Sequence, residues 1–215
     1  MHEVDPAYGG LVDPQQRADV QRWRKAERAR LIAARLAIPG EERRRQGEAI
    51  AAQLDGLLGA VAGLTVSAYW PFRGEPDLRG FLARVAVRGG RTALPVVVAP
   101  GRPLVFRAWT PGDPTEPGVW DIPGPAADAP AVTPDVVIAP VVGFDPACFR
   151  LGYGGGYFDR TLAAMAPRPR AIGVGYGCAA IPTIYPQPHD IPMDWVVTGE
   201  EVYSRGAPGG VDAGG

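Results

Sequence analysis

The chain has 215 residues, room for one sizeable domain or at most two small ones. Lys and Arg number 22 against 23 Asp and Glu, and the net charge of −1 argues against a protein whose main task is to hold nucleic acid or an anionic membrane. Hydrophobic residues at 46% and charged residues at 21% exclude chain-wide disorder, and the 29 glycines and 24 prolines mostly punctuate apolar runs, as turns do.

Residues 1–13 are polar and without periodicity, which predicts a loose arm. Over 14–36, Val20, Trp23, Leu31, Ala34 and Leu36 recur among basic residues and few acids, the pattern of a strongly basic helix. Pro39 suits the start of a second helix, and Glu41 and Glu42 suit its first turn. Its apolar stripe is Ile50, Leu54, Leu57 and Leu58, and Gly59 is its stop. Residues 64–70 are β-branched and aromatic and predict a strand. A loop leads to a short helix over 78–87, ended by Gly89 and Gly90. Strands are expected over 92–98 and 104–109, followed by a long Pro/Gly-rich stretch over 111–134. Residues 135–142 are continuously apolar, as a parallel strand buried on both faces should be. A glycine-rich loop, a helix over 157–165 and strands over 171–176 and 194–198 complete the order, before a frayed tail from Arg205.

Strand–helix–strand alternation predicts an α/β fold: three layers, a largely parallel sheet flanked by helices, with an N-terminal basic helix pair. A single domain over 14–204 is expected. Cys148 and Cys178 form no CxxC and cannot by themselves make a disulfide framework or a zinc site. The first residues carry no apolar leader, and the longest apolar run, 136–144, is far short of a membrane span. A cytoplasmic protein without membrane or nucleic-acid partners is expected, and nothing demands an obligate interface, so a monomer is expected too.

The stretch 143–160, GFDPACFRLGYGGGYFDR, stands between the most strand-like segment and a helix, where open α/β sheets bind ligands. Gly152, Gly154, Gly155 and Gly156 let the backbone approach a bulky anion and aim N–H groups at it, with the helix dipole behind them. Arg150 and Arg160 can offer charge-assisted forks to phosphate oxygens. Asp159 is a carboxylate beside that anion site, and holds a divalent cation or caps the helix. The dinucleotide pattern GxGxxG fails at Tyr157, and no Lys follows the glycines as a P-loop requires. The residues alone thus give a glycine-rich anion loop of unspecified kind, or a tight turn without a ligand.

PVVGFDPACFRLGYGGGYFDR closely resembles the signature of the 5-formyltetrahydrofolate cyclo-ligase (5,10-methenyltetrahydrofolate synthetase) family, departing from it where Phe158 replaces a Tyr. The basic helix followed by PGEER resembles the family's opening, YWPFRGEPDLRGFL its strand–loop–helix, WDIPGP its Ile-Pro-x-Pro turn, and IPTIYPQPHDIPMDWVVT its C-terminal segment. The resemblance implies conversion of 5-formyltetrahydrofolate to 5,10-methenyltetrahydrofolate with ATP and Mg2+. It implies that Arg150, Leu151, Gly152, Tyr153, Gly154, Gly155, Gly156, Tyr157 and Phe158 surround the nucleotide phosphates. Two basic residues of the first helix join them, Arg28 and either Arg24 or, by a shift of one residue, Lys25. Asp159 would ligate magnesium, Glu75 would contact the folate, and Tyr157 and Trp120 would shape its pocket. Arg150, Tyr157 and Asp159 are the expected catalytic residues.

No nucleophilic triad is visible, and only His2 and His189 are histidines. Neighbours on an extended chain point opposite ways, so His189 and Asp190 are read as loop positions and not as a catalytic pair. Cys148 has only Arg150 near it to lower its pKa and is given no catalytic role. A sugar-phosphate enzyme on the same scaffold, or a non-catalytic binder of folate or nucleotide, are the alternatives.

Overall fold

The computed structural model describes residues 14–206, with the backbone of two short paired strands before them, β1 (Val4–Asp5) and β2 (Gly10–Leu11). Residues 1–3, 6–9, 12–13 and 207–215 lie outside the described residues, and with them most of the expected arm and tail. Two helices open the fold, α1 (Pro14–Ala37) and α2 (Gly40–Leu58). Pro39 is the N-cap of α2, Glu41 and Glu42 sit in its first turn, and Gly59 closes it at φ 61°. There follow β3 (Thr65–Ser67), α3 (Arg79–Val87), β4 (Arg91–Val96) and β5 (Val105–Ala108).

The Pro/Gly-rich stretch is not featureless. It holds a hairpin of β6 (Thr115–Pro117) and β7 (Pro123–Pro125), then β8 (Ala131–Val132). After β9 (Val136–Pro140), a second hairpin pairs β10 (Gly143–Phe144) with β11 (Arg150–Leu151). The chain ends with α4 (Tyr157–Ala164), β12 (Arg170–Val174), β13 (Trp195–Val197) and β14 (Val202–Ser204).

Eight strands form one sheet in the order β14-β13-β12-β9-β3-β4-β5-β8. The run from β13 to β4 is parallel, while β14, β5 and β8 add antiparallel edges. The short edge strands carry too few residues for a period to show in sequence. The central strands alternate between two buried layers. Val66, Val136, Ile138 and Val197 pack with Ile50 and Leu54 of α2 and Phe81 and Leu82 of α3. Val137, Ala139, Ala171 and Val196 pack with Leu162 of α4 and the loop residues Cys148 and Met193.

The chain runs from β3 outward to β4 on one side, then returns to β9 on the other side of β3. The strand order therefore reverses between β3 and β9, the crevice where doubly wound sheets take ligands. The loops after β3 and β9 open there. α1 lies over the same region, its Leu31 packing with Val142, Leu151, Ile181 and Ile184. The buried residues of α1 are Arg24, Leu31 and Arg35, and with Arg28 they follow the spacing of one helical face. Leu36, expected in the apolar stripe, is half exposed.

Candidate active site

A cleft of about 1380 Å³ opens at the switch point, lined by α1, the loop after β3, the β6–β7 hairpin and the glycine loop. It exceeds the usual small-ligand pocket of roughly 300–1,000 Å³.

The glycine loop runs from β11 to α4. Gly156 is the N-cap of α4 at φ 62°, without a side-chain cap, so the first-turn N–H groups lack helical partners. Gly154 is also left-handed, at φ 98°. A Cβ on Gly152 would stand 2.6 Å from Arg150 Nη1, and one on Gly155 would stand 2.7 Å from the Tyr157 ring. Glycine is thus needed at 152 for the arginine to occupy its present place.

Arg150 is buried on β11. Its guanidinium stacks on the Phe158 ring at 4.9 Å, and Nη2 donates to Asp159 Oδ2 at 3.2 Å. Its Nε is buried without a partner, and burial pushes its pKa down. A buried cation with a spare donor beside an uncapped helix start suits an anionic ligand. Arg28 is half-buried; its Nε donates to Gly152 O at 2.6 Å, and burial lowers its pKa. Arg160, on α4, donates to Gly155 O and lies over the Tyr157 ring, so it braces the loop and, unlike Arg150, does not line the cleft.

Arg24 is held differently. It donates to Ile184 O at 3.0 Å, to Tyr185 O at 2.9 Å and to both oxygens of buried Asp190, so most of its donors are spent within the protein. Neighbouring Lys25 is exposed at the cleft rim. Asp190 is tied to Arg24, and His189, 77% exposed in the turn before it, has Nε2 3.9 Å from Asp190 Oδ1, so this segment is a turn and not the extended chain expected, and the two side chains do not point opposite ways.

Asp159 does not cap its helix. Its Oδ2 holds Arg150 and its Oδ1 accepts the Ile191 N–H at 3.1 Å, so it ties α4 to the C-terminal loop. Among the described residues no group of three or more His, Cys, Asp and Glu side chains converges on a metal position. Both Asp159 oxygens are engaged within the protein, one by Arg150 and one by the Ile191 N–H. Leu151 is buried against Leu31, and Phe158 is half-buried beneath Arg150. Cys148 is buried, and burial raises its pKa to about 11, which removes it from nucleophilic chemistry.

On the far side, Glu75 is buried in the turn after β3, where Arg73 and Gly74 are left-handed at φ 47° and 75°. Burial raises its pKa to about 7, opposed by Arg35, the Tyr153 hydroxyl and the Phe72 N–H. Trp120 stands 60% exposed at the tip of the β6–β7 hairpin, itself left-handed at φ 58°. Sequence reasoning missed Arg35. The spacing 24, 28, 31 and 35 would have found it, since those residues share the inward face of α1.

The sequence pattern of the 5-formyltetrahydrofolate cyclo-ligase family matches residues 20–199. The chain belongs to this family. Among its cyclo-ligase relatives, the 5-formyltetrahydrofolate cyclo-ligase of Mycolicibacterium smegmatis is 33% identical over 178 residues, covering 80% of this chain and 91% of its own. That of Escherichia coli K12 is 30% identical over 176 residues, covering 79% and 96%. The solved 5,10-methenyltetrahydrofolate synthetase of Aquifex aeolicus superposes with a TM-score of 0.74 at 26% identity, over 88% of this chain and 96% of that one. The cyclo-ligase match runs through α1, the turn that carries Glu75, the hairpin and the glycine loop. Among the described residues no helix is long and apolar enough to cross a membrane.

Proposed function

We propose that this protein catalyses the ATP- and Mg2+-dependent cyclisation of 5-formyltetrahydrofolate to 5,10-methenyltetrahydrofolate, releasing ADP and phosphate. One observation carries the reading: a single cleft at the switch point joins a glycine loop with a buried, spare-donor arginine to a buried carboxyl on its far side. Family membership supports the same reaction.

A formamide carbonyl is a poor electrophile and its oxygen a poor leaving group. Transfer of the γ-phosphoryl group to that oxygen forms an iminium phosphate. N10 then attacks the formyl carbon, the C–O bond breaks as phosphate leaves, and N10 loses its proton. Chemistry of this kind asks the protein for positioning and charge stabilisation more than for a nucleophile. The backbone at Gly152, Gly154, Gly155 and Gly156 cradles the β- and γ-phosphates, and Arg150 and Arg28 balance their charge. A magnesium ion, if held here with Asp159 as its protein ligand, would supply charge neutralisation to the phosphates. Asp159 orients Arg150 and offers that ion a carboxylate, while Lys25 reaches the phosphates from the rim. Arg24 serves the nucleotide indirectly, by holding the 184–190 loop on α1. Glu75 meets the folate, with Tyr157 and Trp120 shaping its pocket.

The test mixes purified protein with 5-formyltetrahydrofolate and magnesium-ATP and follows the near-ultraviolet absorbance of the methenyl product. An ATP- and magnesium-dependent rise is expected. ATP binding by calorimetry without a rise would mean a non-catalytic binder, and no binding at all would turn the search to sugar phosphates.

A further inference from the structure

Three residues distant in sequence form one chain of hydrogen bonds across the cleft. Arg35 stands at the end of α1, Tyr153 in the glycine loop and Glu75 in the turn after β3. Arg35 Nη2 donates to the Tyr153 hydroxyl oxygen, and Tyr153 Oη stands 2.8 Å from Glu75 Oε1. A guanidinium has no acceptor, so the hydroxyl accepts from Arg35 and commits its own proton to Glu75. The Phe72 N–H donates to Glu75 Oε2 at 2.9 Å. Both carboxyl oxygens are therefore acceptors, the arrangement of an ionised carboxylate. Arg35 also donates from Nε to Arg73 O at 2.9 Å, which fixes the same turn a second time. The Phe72 ring packs edge-on to Tyr153 at 5.9 Å and closes the frame.

We propose that Arg35 and Tyr153 are positioning residues that hold Glu75 as an ionised acceptor facing the folate, and so set the acid limit of turnover. The proposal rests on the cyclo-ligase reading above. The glycine loop thereby has a second task, since its Tyr153 reaches the folate side while its glycines face the phosphates.

The charged and titratable groups around Glu75 are Arg35 from α1, Arg43 of α2 packed against Gly74, Tyr69 after β3, Tyr153 from the loop, Tyr176 after β12, and Arg73 (stacked on Phe72) and Asp77 on its own segment. Arg35 is the cation that acts on Glu75, and Tyr153 the side-chain hydroxyl bonded to it. Burial opposes both and keeps the carboxyl near 7. Removal of either leaves burial less opposed, so the midpoint must rise.

The experiment follows the Glu75 carboxyl carbon by NMR in the ligand-free, full-length protein with labelled glutamate, assigned by its loss in Glu75→Gln. Tyr153→Phe is expected to raise the midpoint by about one pH unit and Arg35→Met by more, with Arg35→Lys intermediate. The acid limb of kcat/KM for the folate should move by the same amount, with activity recovering toward wild type at higher pH. A midpoint unmoved in Tyr153→Phe, the milder variant, overturns the proposal. A uniform loss of kcat with an unmoved acid limb also overturns it, because that is the mark of a merely structural role. If the midpoints move but even the wild-type protein fails to turn over, the cyclo-ligase reading fails while the hydrogen-bond chain stands.

Discussion

Arg150 Nη2 and Asp159 Oδ2 are 3.2 Å apart, and the other oxygen of the same carboxylate holds the Ile191 N–H. One side chain thus anchors the glycine-loop arginine and the C-terminal loop together. Asp159→Asn keeps the shape but removes the charge that balances Arg150. We expect kcat to fall about a hundredfold, roughly 3 kcal/mol in the transition state, with a higher magnesium requirement. A magnesium titration of initial rates checks this; wild-type turnover would remove Asp159 from the machinery.

Gly152→Ala tests the close approach in the loop. Its Cβ would stand 2.6 Å from Arg150 Nη1, and the guanidinium is the part that can move. The fold should survive while KM for ATP rises about tenfold, some 1.4 kcal/mol. Phe158→Tyr leaves the ring under Arg150 in place and should stay within a few-fold of wild type, whereas Phe158→Ala removes the shelf.

Arg24 and Arg28 stand one helical turn apart and should fail in different ways. Arg24→Ala strands the buried Asp190 carboxylate and should destabilise the protein by about 3–5 kcal/mol, seen as a lower Tm. Arg28→Ala gives up one hydrogen bond to Gly152 O, costing about 1 kcal/mol in stability, and should instead raise KM for ATP. Thermal unfolding beside steady-state kinetics separates the two.

Glu75 ties stability to pH. Its carboxyl titrates near 7 in the folded protein against an ordinary value of 4.5. Protons are bound more tightly by the folded state, so this contribution is full below pH 4.5 and is lost as pH rises through 7. The difference amounts to about 3 kcal/mol. Glu75→Gln should flatten that part of the stability–pH curve, with its largest relative gain in denaturant midpoint above pH 7. A parallel curve for the variant would refute the assignment.

Trp120 has most of its surface exposed at the hairpin tip, so Trp120→Ala should change stability by less than about 1 kcal/mol and leave Tm nearly unchanged. KM for the folate should rise several-fold, and quenching of tryptophan fluorescence by added folate should shrink in the variant.

Much of the frame was legible in sequence because it is written at short range. α1 announces itself by apolar residues recurring among bases, α2 by Pro39, its acidic first turn, its apolar stripe and Gly59, α3 by the glycines that end it, and β9 by its continuous apolar run. The glycine loop and its flanking Arg150 and Asp159 stand within ten residues of one another, so their grouping needed no fold. The β10–β11 and β6–β7 hairpins and β14 escaped, because two- and three-residue strands carry no period.

By itself the sequence determined the strand–helix alternation, the glycine-rich loop and the family to which the chain belongs, each carried by short motifs of residues close together along the chain. The tertiary structure decided which cations of a uniformly basic helix do what. Arg24 faces Asp190 166 residues away, Arg35 faces Tyr153 118 residues away, and Tyr153 faces Glu75 78 residues away. Such pairings follow from burial at the switch point, where desolvation leaves a charge no partner but the one the fold brings to it.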